Sequence, residues 1–463
     1  MQIGVEGLVL VPLSAGQVLK ECDMALAKMK NIKSKLLFVF LSAGLAASAQ
    51  ERLTLQDAIQ RTLKKNFDVS IAGLSAQQAA RNNTYGNAGF LPYVFFTPSI
   101  SGSQNNVHSD LVNGTSQNNP HAKSLNYNPA VTVNWTIYDG GKMFLVKKQL
   151  GKIEEMGKVQ LQSQIQTMVS RAIQMYSQVV WRQKQVVAID TALQLARVRM
   201  EIAYRKFETG AGAKIDYLQA RVDYNSRQSD SLTYIANLAQ ASDSLSVLMG
   251  EQDNKTYIVD DSLVLNTKLV PVDRARLAEL NQSLRSYKYN AEISHMNEDI
   301  SKTYFLPTLS FNGALAYSRT TNSTGFALFN QTYGGSGGLT LSLPLYEGDN
   351  LRRQAKVASL QAMKDDLLYE RQNTILGKQY RTAWNNYRVA VAAYHLEHEN
   401  IGIAKENLDV QIARFRVGVG STLEARQAEN DYISALVRLY TASYNLKVCE
   451  TVVLELQNQL VRD

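Results

Sequence analysis

Between Leu125 and Ile137 almost every odd position is apolar: Leu125, Tyr127, Pro129, Val131, Val133, Trp135 and Ile137. The even positions are Asn126, Asn128, Ala130, Thr132, Asn134 and Thr136. Only extended backbone turns a period of two into one greasy and one polar face. Val94, Phe96, Pro98 and Ile100 alternate in the same way with Phe95, Thr97, Ser99 and Ser101. Further on, Leu309, Phe311, Leu315 and Tyr317 alternate with Ser310, Asn312, Ala314 and Ser318, and Leu339, Leu341, Leu343 and Leu345 with Thr340, Ser342 and Pro344. The pattern predicts four strands of about ten residues, the length of a tilted membrane-spanning strand. Polar stretches from Gln104 to Ser124 and from Ser318 to Gly338, rich in Asn, Ser, Thr and Gly, read as the loops that join them in pairs.

Elsewhere the period is three to four. No proline interrupts Gly140 to Thr209 or Asp349 to Val417, and Leu, Val, Ile and Ala recur there among Gln, Lys, Arg and Glu. Two helices of about seventy residues are expected, each ~105 Å long at ~1.5 Å per residue, with coiled-coil-like surfaces. They stop at Thr209-Gly210-Ala211-Gly212 and Val417-Gly418-Val419-Gly420, and return helices follow from Ala213 to Met249 and from Ser421 to about Leu460. A helix also precedes each strand pair. The first opens at Leu53, with Thr54 as cap and Asp57 at N3, and should run to about Ala88; its counterpart spans Ala275 to Tyr304. The exits into the long helices, Tyr138-Asp139-Gly140-Gly141 and Tyr346-Glu347-Gly348-Asp349, place an acidic residue to cap the next helix.

The two sets of elements are copies. Phe90-Leu91-Pro92 returns as Phe305-Leu306-Pro307, and Asn66 as Asn281, both 215 positions on (305 − 90; 281 − 66). Tyr138, Phe207, Gly210 and Gly212 return as Tyr346, Phe415, Gly418 and Gly420, 208 positions on (346 − 138), so the second copy has lost seven residues between these landmarks. The first repeat is placed at residues 50–250, an inter-repeat segment at 251–274 and the second repeat at 275–463. A unit of this length is far longer than a solenoid repeat.

Composition places the chain. Lys28, Lys30, Lys33 and Lys35 precede an apolar run from Leu36 to Leu45, and Ala47-Ser48-Ala49 follows. This is a signal peptide at 29–49 with Gln50 as the mature start; residues 1–28 read as an upstream extension. Cys22 falls in the discarded part, leaving Cys449 as the one mature thiol and no intrachain disulfide. The net charge of +8, from 49 basic and 41 acidic residues, is interspersed along the helices. That is a solvated helical surface and not a nucleic-acid groove.

Four strands cannot close a membrane barrel, because the smallest have eight, and an open edge in hydrocarbon leaves backbone groups unpaired. Several protomers must share one barrel, whose polar strand face lines the lumen. Aromatic residues at the strand ends (Phe90, Tyr93, Trp135, Tyr138, Tyr304, Phe305 and Tyr346) suit its interfacial girdles. A small sheet covering a soluble core gives the same alternation; the export signal and the symmetric placement of strands between long helices favour the barrel. His108 and His121 lie in a loop, and His395 and His398 share a helical face, without a third ligand beside either pair. No catalytic constellation or phosphate loop stands out, so neither an enzyme nor a cofactor protein is expected.

The Phe-Leu-Pro junctions, the Tyr-Asp-Gly-Gly and Leu-Pro-Leu-Tyr-Glu-Gly exits and the two glycine tips, Arg205 to Ala220 and Arg414 to Ala428, closely resemble the TolC-like outer-membrane efflux protein family. The resemblance covers about residues 50–460. It implies a mainly α fold with a membrane β-barrel: a long α-helical coiled-coil barrel plus four membrane strands per protomer, completed in a homotrimer as a twelve-stranded barrel over a twelve-helix periplasmic tunnel. It implies outer-membrane lipid, a periplasmic adaptor (membrane fusion) protein and an inner-membrane transporter as partners in a Gram-negative cell. Gly210, Gly212, Gly418, Gly420 and Ser421 would touch the adaptor, although reversal of the helix pair alone accounts for the glycines. Asp216 and Glu424 align with acidic residues that constrict the periplasmic entrance in some members, while Gln427 occupies a further acidic position. A ring of Glu424 would favour cations; a carboxylate serving its own helix dipole is the equal alternative. The expected function is a passive exit duct for efflux. The same duct could serve type I protein secretion, and a coiled-coil structural or adhesive surface protein is the rival from another class.

Overall fold

The computed structural model describes residues 52–112, 114–251, 257–260, 263–325 and 327–461. The expected upstream extension, signal peptide and mature start lie outside them. All described residues but Arg52, Tyr257 and Ile258 belong to one compact unit, and every element that follows lies within it.

In chain order it contains α1 (Leu55–Lys65), α2 (Phe67–Asn82), β1 (Tyr93–Asp110), β2 (Ser116–Asp139), α3 (Lys142–Glu208) and α4 (Lys214–Leu248). The second copy supplies α5 (Arg274–Leu280), α6 (Gln282–Thr303), β3 (Thr308–Asn322), β4 (Phe329–Ser342), α7 (Asn350–Arg416) and α8 (Thr422–Leu456).

Thr54 and Asp57 form the expected capping box, with the Asp57 amide donating to Thr54 Oγ1 at 3.1 Å. The single helices expected at 53–88 and 275–304 are each two, broken at the repeated asparagine. Asn66 Oδ1 accepts from the amides of Asp68 (2.9 Å) and Val69 (3.3 Å) and so starts α2, while its Nδ2 donates to the Leu248 carbonyl at 2.9 Å. Asn281 Oδ1 accepts from Leu284 N at 2.9 Å to start α6, and its Nδ2 donates to the Leu456 carbonyl at 3.2 Å. An asparagine that caps a new helix competes with continuation of the old one. Each copy thereby ties its helical break to the last residue of its own return helix. α2 also ends earlier than expected, at Asn82, and a turn leads to Gly89 (φ 93°).

α3 and α7 each run 67 residues, ~100 Å at the α-helical rise. The expected acidic cap holds in one copy: Asp139 Oδ1 accepts from Met143 N at 3.1 Å. In the other, the Glu347 carbonyl, not its carboxylate, takes the Asn350 amide at 3.2 Å. α3 packs on α2 and α6 at one end and on α4 and α8 at the other; α7 packs on α6 and α8. Small cores sit at equivalent levels in the two copies, around Met168, Ala172 and Leu248 and around Leu376, Tyr380 and Leu446. Residues 263–273 are pinned to the second core: Tyr387 Oη receives Leu269 N at 3.1 Å, and Tyr380 Oη receives Val272 N at 2.8 Å.

The long strands form one antiparallel sheet in the order β1-β2-β3-β4, with β1 and β4 as free edges. They have 18, 24, 15 and 14 residues, so most of the two expected polar loops is strand. Those stretches are polar on both faces, which erases the period-two signal without weakening the backbone ladder. The last strand also stops short: Leu343, Leu345 and Tyr346 lie beyond Ser342, and Pro344 has no N–H to pair.

Candidate functional site

Directly opposed residues share a sheet face, so the register decides which side chains lie together. Val94, Phe96 and Ile100 oppose Val133, Val131 and Tyr127; these oppose Gly313, Leu315 and Arg319 in turn; Phe311 and Leu309 oppose Leu339 and Leu341. One face is therefore apolar across all four strands. The other carries Thr97, Ser99, Asn126, Asn128, Thr132, Ser318 and Thr320, with Ser318 Oγ donating to Asn128 Oδ1 (2.6 Å) and Thr320 Oγ1 to Asn126 Oδ1 (2.7 Å).

The expected aromatic girdle is split by this register. Trp135 opposes Phe311 on the apolar face, and a bulge between Thr136 and Tyr138 returns Tyr138 to that face opposite Leu309. Trp135 also donates from Nε1 to the Phe90 carbonyl at 2.9 Å. Tyr93 opposes Asn134 and so lies on the polar face, its ring 6.4 Å from that of Phe95. Phe305 and Tyr346 lie outside the strands in the adjoining turns. At the other end of the apolar band stand Tyr127, Tyr317 and Tyr333, a second aromatic row that alternation alone did not distinguish from strand apolars. Trp135 and Tyr127 are eight residues apart (135 − 127), or ~27 Å along the strand.

The glycine tips lie at the opposite end of the long helices, and the two glycines of each do different work. Gly210 (φ 74°) and Gly418 (φ 84°) occupy the left-handed region that reverses the chain. Gly212 and Gly420 leave room: a Cβ on Gly212 would lie 2.9 Å from Lys206 Cβ, and one on Gly420 would lie 3.1 Å from the Phe415 nitrogen. The tips are joined by Lys206, whose Nζ donates to the Phe415 carbonyl at 3.0 Å and stands 4.2 Å from the centre of its ring. The ammonium thus meets the negative end of α7 as well as an aromatic face. Phe415 is buried, whereas its counterpart Phe207 is exposed and stacks on Tyr217. Val417, Val419, Leu423 and Ile215 stand exposed around the tips.

Ser421 caps α8. Its Oγ receives the Glu424 amide at 3.2 Å, and its own amide donates to Glu424 Oε2 at 2.9 Å. The bond from the Ser421 backbone, reinforced by the Ser421 hydroxyl, holds the Glu424 carboxyl below the usual carboxylate range. Asp216 occupies the same turn of α4, where the N-cap is Ala213 and no side chain completes a box. The two acidic residues are equivalent in position and unlike in environment.

Deeper in, α3, α4 and α8 enclose a group that periodicity did not single out: Arg199, Asp223, Arg227, Arg426, Glu429 and Asn430. The available signal was an arginine in a stripe of buried alanines, Ala192, Ala196 and Ala203. Among the described residues no group of His, Cys, Asp and Glu could hold a metal ion, and no helix is long and apolar enough to cross a membrane.

A family model described as "Outer membrane efflux protein" matches residues 58–251 and 275–453, one segment in each copy. The chain is 23% identical over 255 residues to the outer membrane protein TolC of Vibrio cholerae, a match covering 54% of this chain and 56% of that protein. The chain thus spans about half the length of the curated relatives it matches. Among solved structures, the Campylobacter jejuni CmeC outer membrane channel superposes with a TM-score of 0.73 at 18% identity, covering 88% of this chain and 85% of that one. The outer membrane protein VceC from Vibrio cholerae gives 0.72 at 13%, covering 87% and 96%.

Proposed function

The chain belongs to the outer membrane efflux protein family, and from that premise we propose that it is the outer-membrane exit duct of a tripartite efflux system. Its sheet crosses the outer membrane, its long helices cross the periplasm, and the driving energy comes from an inner-membrane transporter reached through a periplasmic adaptor.

The observation that carries this reading is that the unit leaves its outer strands and several of its helices with unpartnered apolar surface. Among the described residues β1 and β4 have no outer partner. Beneath the sheet, α7 exposes Val389, Leu396, Ile403 and Val410, every seventh residue, a spacing that continues to Val417 just past its end, with Leu360 and Leu367 seven apart nearer its start. On the other side, Ile215, Leu218, Val222 and Leu232 of α4 are exposed and fall in one heptad frame; Phe67, Ile71 and Leu74 of α2 follow suit. Exposed seams of this period are surfaces for neighbouring helices in a left-handed supercoil. Two different edges that complement each other make a heterologous contact, which closes into a ring. Three copies would give twelve strands, the apolar face toward lipid and the Asn/Ser/Thr face toward the lumen. At a strand tilt of ~40° the ~27 Å between aromatic rows projects to ~21 Å along the barrel axis, a little less than an apolar band of ~25 Å.

Within this reading the exposed apolar residues around Gly210, Gly212, Gly418, Gly420 and Ser421 are the adaptor contacts, and Asp216 and Glu424 the constriction. The full chain, extracted cold from outer membranes, is expected to migrate on unheated gels as a trimer that dissociates on heating. In planar bilayers it is expected to form cation-preferring channels whose conductance rises in Glu424→Ala. A stable monomer would overturn the duct; an unchanged conductance and ion preference would remove Glu424 from the gate and leave it a helix cap.

A further inference from the structure

The mouth residues do not account for the buried charges above them. Arg199 is only 3% exposed. Its Nη2 donates to Asp223 Oδ2 at 3.0 Å, and its Nη1 lies 3.6 Å from Glu429 Oε2, an ion-pair distance without a hydrogen bond. Arg199 Nε and Nη1 and Glu429 Oε1 are buried with no hydrogen-bond partner among the described residues. Asp223 Oδ2 is also 3.4 Å from Arg426 Nε, and Arg227 Nη2 donates to Asn430 Oδ1 at 2.7 Å. These side chains surround a cavity of about 180 Å³ between α3, α4 and α8.

Three guanidinium groups and two carboxylates line the cavity, an excess of one positive charge (3 − 2). That excess is carried by Arg227 and Arg426, each about one-third exposed, and Asp230, half exposed outside the lining, stands 3.8 Å from Arg227. Donors left orphaned on a buried guanidinium are costly, and the partly exposed Arg227 and Arg426 add positive charge at the rim of the cavity. We propose that this cavity binds a small monovalent anion, held by the free N–H groups of Arg199 and balanced by the arginine excess. Its volume admits a halide with accompanying water.

Glu429 strengthens the assignment. Burial pushes its carboxyl up, and Asp223 on α4 adds to the effect, while Arg199 on α3 and Arg227 on α4 oppose it; Arg426 lines the same cavity from α8. A protonated Glu429 adds an O–H donor and removes one negative charge, so anion uptake is expected to strengthen as pH falls. The site does not depend on the duct assignment, because all its groups come from one chain.

The probe is bromide or chloride on the full-length protein in detergent. Crystals soaked in sodium bromide are expected to show an anomalous peak beside Arg199 Nε and Nη1 in every protomer. In solution, chloride in place of gluconate at equal ionic strength is expected to raise Tm by about 1–2 °C per tenfold increase above Kd. Arg199→Gln should abolish both effects, whereas Glu429→Gln, which keeps the shape and removes the negative charge, should retain the peak and flatten the pH dependence. Non-anomalous water in the cavity, or equal stabilisation by chloride in wild type and Arg199→Gln, would overturn the proposal. A bromide peak with no chloride effect on Tm would identify an adventitious ion only, with the same consequence.

Discussion

At the scale of single residues, the duplication shows what a position is for. Asn66 and Asn281 keep both uses of the carboxamide, cap and tether, in the two copies. Gly210 and Gly418 keep a positive φ, at which any side chain would be strained. Glu424 and Asp216 have diverged: only Glu424 sits in a capping box. Its carboxyl is held below the usual range when folded, so its contribution to stability is fully present above the unfolded pKa and is lost as pH falls through the folded one. Glu424→Gln is accordingly expected to lower Tm near about pH 7 and to converge on wild type as pH falls through the folded pKa of Glu424, below which both side chains are neutral. Thermal melts of the two proteins across that range check it. A difference that persists in acid would assign Glu424's effect to its shape and not its charge.

At the scale of elements, the seven-residue spacing on α7 is the feature most open to challenge. Ile403 is 62% exposed in the protomer and lies mid-seam. Ile403→Glu puts a charge where a neighbouring helix must pack, and is expected to shift the assembly from trimer to monomer in light scattering while leaving the helical circular dichroism of the chain unchanged. Lys405→Gln, exposed on the opposite face of the same helix, is expected to leave the trimer intact. These elements were unequally legible in the sequence. The long helices, their glycine ends and the return helices could be read to within a few residues, because a proline-free stretch closed by Gly-x-Gly leaves few alternatives. The breaks at Asn66 and Asn281 could not, since the bond that makes each break comes from a residue more than 170 positions away (248 − 66; 456 − 281). The first ten residues of β4, Phe329 to Gly338, read as loop for another reason. Its Tyr-Gly-Gly-Ser-Gly-Gly run has almost no apolar pattern, and the apolar surface there is lent by β3. A Cβ on Gly335 would come within 3.1 Å of Leu315 Cδ2, and the Phe311 ring lies against Gly337. The glycines make room for side chains that cross from the neighbouring strand. The charged group around Arg199 was equally out of reach, because three separate helices contribute to it.

At the scale of the whole molecule, the two copies share one plan and differ in reach. The first hairpin, β1 with β2, is built from strands of 18 and 24 residues, and the second from 15 and 14. The seven residues lost from the second copy lie between the same landmarks as these hairpins. In the proposed assembly, tall and short hairpins alternate around the outer rim, so the surroundings of the cell meet three prongs before they meet the mouth. A phage or an antibody would take its first hold at the turn that closes the tall hairpin. An epitope inserted after Leu111 is expected to be labelled on intact cells by its antibody, whereas the same insert after Gly210 should stay dark until the envelope is opened. In that assembly the uneven duplication would give the duct a face that can be recognised from outside.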